Sequence, residues 1–384
     1  MGPIRRFPTL AIPMQTNWRL DELSPHEDFE AGTPELGFSV IRGRCGASRG
    51  VTRVRLRAGN RFADLLPQRG MGIWQADQAG IRLGWDSPVQ GPVHPSLVPL
   101  HDPGGLGWLE GFDELLVRCG LTSNGAPEHD ANGQLVYPLH GRIANLPAGD
   151  VQVELDESAG WISVSGVVEE SRFHFRRLQL QSRTSLFVDN PQILIEDTVS
   201  NLSDRPAEVQ MLYHANFGPP LLEPGSRIVA PVRRLEPRDE TARIAIGQWD
   251  GFGKPDPQFS EQVYFMDLAC DDQGDSLAML TNRDQSLAVC LEYTARTLPC
   301  FTLWKNTAGL ADGYVTGLEP GTNFPNPRST EIEAGRFCEL AAGAEVSFRL
   351  GMSLLVQSGE IRQIAERIAG MVPDTGPAGT NWSQ

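Results

Sequence analysis

Val151-Gln-Val-Glu-Leu155, Trp161-Ile-Ser-Val-Ser-Gly-Val-Val168, Phe173-His-Phe-Arg-Arg-Leu-Gln-Leu180, Thr184-Ser-Leu-Phe-Val188 and Gln192-Ile-Leu-Ile-Glu-Asp-Thr-Val199 follow one another at close spacing. They are rich in β-branched and aromatic residues, which suit a pleated, half-buried surface. Turn formers such as Asp156-Glu-Ser-Ala-Gly160, Asp189-Asn-Pro191 and Asn201-Leu-Ser-Asp204 separate them. No helical period intervenes, so the stretch reads as an antiparallel meander and not as βαβ units.

The same reading extends outward. Upstream, Val51-Thr-Arg-Val-Arg-Leu-Arg57 alternates apolar with polar, and residues 69–74 and 80–85 look like two short strands. A Pro- and Gly-dense loop over residues 86–107 leads into one helical turn and a strand ending near Gly120. Downstream, residues 231–259 read as irregular capping chain, with strands resuming over 263–266, 276–280, 287–293, 301–304 and 345–356. One helix closes the pattern: Ser358 is its N-cap, and Ile361, Ile364, Ala365 and Ile368 share a face. The 40 glycines and 29 prolines in 384 residues carry no period, as expected for many turns between short strands. The expectation is an all-β chain: an N-terminal arm over 1–36, one large antiparallel β-sandwich over 37–372 ending in a short helix, and a flexible tail over 373–384.

A formal charge of −15 argues against nucleic-acid and anionic-membrane partners, because phosphate binding needs a basic face. The six cysteines are widely spaced and read as reduced thiols, not as a zinc site or disulfide framework. There is no apolar run of membrane length and no signal-like segment behind Met1, so a cytoplasmic protein is expected. A Walker loop, a dinucleotide fingerprint and a G-x-S-x-G elbow are all missing from the sequence.

Three stretches carry candidate chemistry. Tyr137-Pro-Leu-His-Gly-Arg142, Val209-Gln-Met-Leu-Tyr-His-Ala-Asn-Phe-Gly218 and Gly313-Tyr-Val-Thr-Gly-Leu-Glu-Pro-Gly-Thr-Asn-Phe-Pro325 each run from apolar character onto a histidine or glutamate and then into a loop. Rigid strand ends with polar heads are where positioned chemistry collects. The reading is that His140, His214 and Glu319 line one sugar-sized hollow; the bland alternatives are strand-end histidines and a solvated turn carboxylate. Arg142 and Lys305 would hold sugar hydroxyls or a carboxylate, Asn323 would add an amide, and Trp304, like Trp74 and Trp108, either stacks on a sugar face or fills the core. His94, His101 and His129 have no ligand spacing, so no metal is expected.

Together, Leu139-His-Gly-Arg142, Tyr213-His-Ala-Asn-Phe-Gly218 and Gly317-Leu-Glu-Pro-Gly-Thr-Asn-Phe-Pro325 resemble the aldose 1-epimerase (galactose mutarotase-like) superfamily, and within it a bacterial branch catalogued as a domain of unknown function. The resemblance spans residues 46–356, including Arg69-Gly-Met-Gly-Ile73 and Cys119-Gly-Leu-Thr-Ser-Asn-Gly-Ala-Pro127. It implies a β-sandwich with an open sugar cleft, His214 as general acid, Glu319 as general base and His140 as a substrate-binding histidine, with no cofactor. Arg142 departs from the superfamily pattern and hints at an acidic sugar. The implied activity is anomer interconversion of a free sugar or sugar acid by an isomerase. The alternatives are a lyase or isomerase acting on an oxidised sugar, and a sugar-binding protein without turnover. A homodimer is compatible with the sequence.

Overall fold

The structure is a computed structural model, and it describes residues 15–371. The expected tail over 373–384 and the first fourteen residues of the arm lie outside the described residues. Two large sheets face one another, one of nine strands and one of thirteen, and every pairing between named strands is antiparallel. The all-β sandwich read from the sequence is the fold.

The opening meander runs in the nine-stranded sheet through Ala148–Asp156, Trp161–Arg172, Arg176–Phe187 and Gln192–Asn201, then Glu345–Leu355. Val153, Val164, Leu180, Ile195 and Phe348 from this sheet meet Leu56, Tyr213, Phe301 and Leu303 from the other in one core. Burying such side chains stabilises the fold by about 1.5–3 kcal/mol each.

The sheets are also joined by charge. Arg118 of Leu116–Leu121, in the thirteen-stranded sheet, reaches through the core to Asp197 of the other sheet, with Nε 2.6 Å from Oδ2 and both side chains fully buried. Its remaining donors go to Ser182 Oγ (2.9 Å) and the Met71 carbonyl (2.5 Å), and the Tyr213 hydroxyl donates to Asp197 (2.8 Å).

Three local expectations change. The runs over 173–180 and 184–188 are not two strands: Arg176–Phe187 is one, because Leu178, Leu180, Ser182 and Thr184 point inward while Gln181 is exposed. Phe173 and Phe175 sit exposed at the preceding hairpin tip. The described part of the arm is not loose chain, since Gln15–Arg19 pairs with Ala148–Asp156 and Phe29–Gly32 with Leu36–Arg42. These are edge strands, whose half-exposed polar residues carry a weak apolar signal. The capping stretch contains a strand, Val232–Pro237, and a short helix, Glu240–Ile244, whose first turn is capped by Asp239 accepting from the Ala242 N–H.

The closing helix is Ser358–Met371, and its Ile361 and Ile368 are buried beside Leu277, Met279 and Leu355 on the outer face of the nine-stranded sheet. Two further short helices, Leu310–Gly313 and Arg328–Glu333, were not expected from the sequence. No helix of the described residues is long and apolar enough to cross a membrane.

Candidate active site

Strand parity builds the site. Ala207–Phe217 lies between Leu116–Leu121 and Tyr314–Gly321, with Ala215 opposite Leu318 and Leu212 opposite Gly321. That register sets His214 across from Glu319, and the next strand, Cys300–Thr307, sets Thr302 opposite Glu319 and Trp304 opposite Gly317. Residues directly opposite in an antiparallel pair share a face. His214, Asn216, Glu319, Thr302 and Trp304 therefore project from the outer face of the sheet, while Tyr213, Ala215, Leu318 and Leu303 fill the core beneath it.

His214 Nε2 and Glu319 Oε1 are 3.2 Å apart, and the two side chains are only 5% and 2% exposed. Trp108, Phe112 and Trp304 lie over them, with ring centroids 6.1, 5.2 and 5.4 Å from the imidazole. The expected convergence is present, but no hexose-sized gap separates the two groups.

The tautomer follows from Asn216. Its amide nitrogen donates to the carbonyls of Glu114 (3.0 Å) and His214 (3.1 Å), which turns its oxygen toward His214 Nδ1 at 2.7 Å. Nδ1 thus carries a proton and Nε2 faces the carboxyl. Burial, then Glu261, pushes the Glu319 carboxyl well above its ordinary value. Burial, then His140, pushes His214 well below its own. Both shifts favour the neutral pair, an uncharged carboxyl facing an unprotonated Nε2. This is the reverse of the ionised glutamate and protonated histidine that a general base at Glu319 and a general acid at His214 need, because the rings of Trp108, Phe112 and Trp304 penalise charge on either group.

Three buried polar atoms here have no hydrogen-bond partner among the described residues: Glu319 Oε1, Thr302 Oγ1 and Trp108 Nε1. Orphaned buried groups are costly, and several at one place form a donor and acceptor set suited to a polar ligand.

His140 closes the third side. It sits at φ 55°, in the left-handed region that non-glycine residues rarely adopt. Its N–H is held by the Gly125 carbonyl (2.8 Å), and its Nδ1 donates to the Asn124 carbonyl (2.9 Å), with no partner for Nε2 among the described residues. The ring lies 5.4 Å from that of His214, and burial pushes it down to about 4, so it is a neutral acceptor at physiological pH.

The other candidates divide. Trp304 is at the site, partly exposed, its indole N–H donating to Glu261 at 2.8 Å. Asn323 is fully buried and exchanges two hydrogen bonds with Asn124 (2.8 and 2.9 Å), so it holds the His140 loop and has no donor left for a ligand. Lys305 is on the opposite face from Trp304, bound to the Gln248 carbonyl at 2.9 Å beside Phe252 and Tyr264. Arg142 lines a separate small cavity behind the His140 loop. Neither cation expected to read an acidic sugar reaches the dyad. Trp74 donates to Asp113, His94 bonds Ser96, His101 lines the Arg142 cavity, and His129 is exposed.

Sequence reading missed Arg238, Asn216 and Gly317. Arg238 pairs with Glu261 (2.9 Å) and Asp239 (2.8 Å) at the rim and acts electrostatically on Glu319. Asn216 had a legible signal, since it lies two residues after His214 and so on the same face. Gly317 is glycine for room: a Cβ there would come within 2.6 Å of Glu319 Oε1 and 3.0 Å of His214 Cε1. Gly317→Ala is expected to cost about 1–3 kcal/mol by forcing the dyad aside, read as a lower urea midpoint at unchanged slope.

Behind the aromatic cover, Glu114 forms a fully buried pair with Arg69 (2.7 Å), and Asp113 accepts from Trp74 Nε1 at 2.8 Å. Burial first, and Glu114 next, push Asp113 from 3.8 up to about 8. A raised carboxyl contributes stability that is complete below its unfolded value and is lost as pH rises toward its folded value. Asp113→Asn removes that loss. Its thermal midpoint relative to the parent is therefore expected to climb between about pH 4 and pH 8 and to level off above; a difference that is flat with pH would contradict the assignment.

Residues 48–354 match the family model described as "Domain of unknown function (DUF4432)". A crystal structure of a candidate aldose 1-epimerase from Klebsiella pneumoniae subsp. pneumoniae is 32% identical, with a TM-score of 0.90 over 96% of this chain and 98% of that one. A galactose mutarotase-like protein from Clostridium acetobutylicum (14% identity, TM-score 0.58, 85% and 100% coverage) and a galactose 1-epimerase from Lactobacillus acidophilus (12%, 0.56, 84% and 100%) share the fold. No curated protein matches. The match over residues 48–354, on a sandwich of this topology, places the chain in the DUF4432 family, with the galactose mutarotase-like fold.

Proposed function

We propose that the protein is a cofactor-independent isomerase of the aldose 1-epimerase type, interconverting the anomers of a free reducing sugar. The observation that carries this is the His214–Glu319 contact, a carboxyl and an imidazole at 3.2 Å set among orphaned polar atoms. Mutarotation needs a base for the anomeric hydroxyl proton and an acid for the ring oxygen. A dyad sharing one proton supplies both.

A sugar entering at the His140–Trp304 rim replaces aromatic cover with hydroxyls. Hydrogen bonding to charged forms lowers their cost, so the shared proton moves to His214 and Glu319 becomes the carboxylate. The carboxylate then takes the anomeric proton while His214 Nε2 gives its proton to the ring oxygen, and the C1–O5 bond breaks to the open aldehyde. Rotation about C1–C2 and the reverse transfers give the other anomer. His140 Nε2 accepts from a sugar hydroxyl, and Trp304 offers its face. With Arg142 and Lys305 outside the site and Arg238 already paired, a neutral sugar fits better than a sugar acid. Saturation-transfer NMR over a panel of reducing sugars tests the proposal: faster anomer exchange with protein supports it, and buffer rates for every sugar would remove it.

A further inference from the structure

Behind the loop that carries His140 lies a cavity of about 60 Å³, lined by Arg142, Arg172, Arg176, Ser123, Glu170 and His101 among others. This is far below the roughly 300 Å³ at which drug-sized ligand sites begin, so it takes a group of a few heavy atoms and not a sugar ring. In a chain of net charge −15, three guanidinium groups here meet one carboxylate.

That carboxylate is committed. Glu170 accepts from the Leu121 N–H (2.8 Å) and the Thr122 hydroxyl (2.8 Å) and lies 3.0 Å from Arg176 Nε. Arg142 has no such partner: its Nε is buried with no hydrogen bond among the described residues, and neither has the buried Ser123 hydroxyl. An unpaired, partly buried guanidinium beside a second cation and an unsatisfied hydroxyl is a donor set for an oxyanion.

We propose that this cavity binds a small oxyanion, a phosphate, sulfate or carboxylate group, through Arg142, Arg176 and Ser123. It is distinct from the dyad. Its wall is the reverse side of the His140 loop: Ser123 precedes Asn124, whose carbonyl holds His140, and Arg142 follows Gly141, where a Cβ would come within 1.9 Å of the Ser123 carbonyl. A bound oxyanion bridges the two segments that fix His140.

The experiment is titration of the intact protein with inorganic phosphate and with sulfate, at constant ionic strength in chloride, read by calorimetry and thermal shift. Saturable binding is expected, weakened roughly tenfold to a hundredfold in Arg142→Gln and partly restored in Arg142→Lys. Arg142→Gln should fold with an unchanged midpoint in the absence of anion, since Arg142 holds no partner. Should it fail to fold, Ser123→Ala gives the same reading with a smaller loss. A hexose phosphate run alongside separates the sources: equal affinity assigns a free anion, and tighter binding assigns the charged group of a larger molecule, both requiring Arg142. The proposal is overturned if the wild type shows no saturable phosphate or sulfate binding, or if Arg142→Gln binds as the wild type does, or if Arg238→Gln at the cleft rim abolishes binding instead.

Discussion

Glu319→Gln is expected to slow anomer exchange by roughly 10²–10⁴-fold, the range for losing one placed acid–base group, while the chain folds as before. The amide matches the carboxyl in shape and is likewise uncharged, so the 3.2 Å contact and the aromatic cover survive. What disappears is the exchangeable proton. An amide neither accepts the anomeric proton nor passes one to the imidazole, so the dyad can no longer act as acid and base in turn.

The pH profile of the parent gives an independent check. With Glu319 raised and His214 lowered, the one-proton form spans the range between them. Turnover is expected to fall on the acid side as His214 gains a second proton, and on the alkaline side as the pair loses its shared one. Equal exchange rates for parent and Glu319→Gln on a sugar that the parent turns over would show that the carboxyl plays no part.

Asp197→Ala is expected to destabilise the fold by about 3–5 kcal/mol, the cost of stripping one partner from a buried ion pair. Arg118 gives Asp197 two hydrogen bonds (2.6 and 3.1 Å), and removing the carboxylate leaves a fully buried guanidinium with only Ser182 and carbonyl acceptors. Tyr213 loses its hydroxyl partner in the same stroke. Tyr213 precedes His214, so the clasp sits directly under the dyad on the other face of the strand. Denaturant unfolding reads the loss, and a second variant isolates its cause: adding Arg118→Met should recover most of it, because the uncompensated charge and not the lost contact dominates. A single variant within about 1 kcal/mol of the parent would mean that water reaches Arg118.

Much of the site was legible. A histidine or a glutamate that ends an apolar strand and opens into Gly and Asn has few places to go, and His140, His214 and Glu319 do meet. The other candidates diverge because side-chain direction and distant partners are not legible in a single stretch. Lys305 is one residue past Trp304, and in a strand that step turns the side chain to the opposite face. Arg142 is two residues past His140, but positive φ at His140 (55°) and Gly141 (72°) turns the chain so that it looks into the rear cavity. Asn323 was visible as an amide in a loop, yet its partner Asn124 lies 199 residues away.

The sequence by itself determined the all-β class, the run of strands and the three residues that meet at the candidate site, because alternation, turn residues and strand-end polarity are local properties of the chain. The tertiary structure alone decided which neighbours share their face, where Arg142 and Lys305 point, and the burial that favours the uncharged forms of His214 and Glu319. Those depend on register between distant strands and on the hydrocarbon that Trp108, Phe112 and Trp304 bring over the pair, and neither is encoded at any single position.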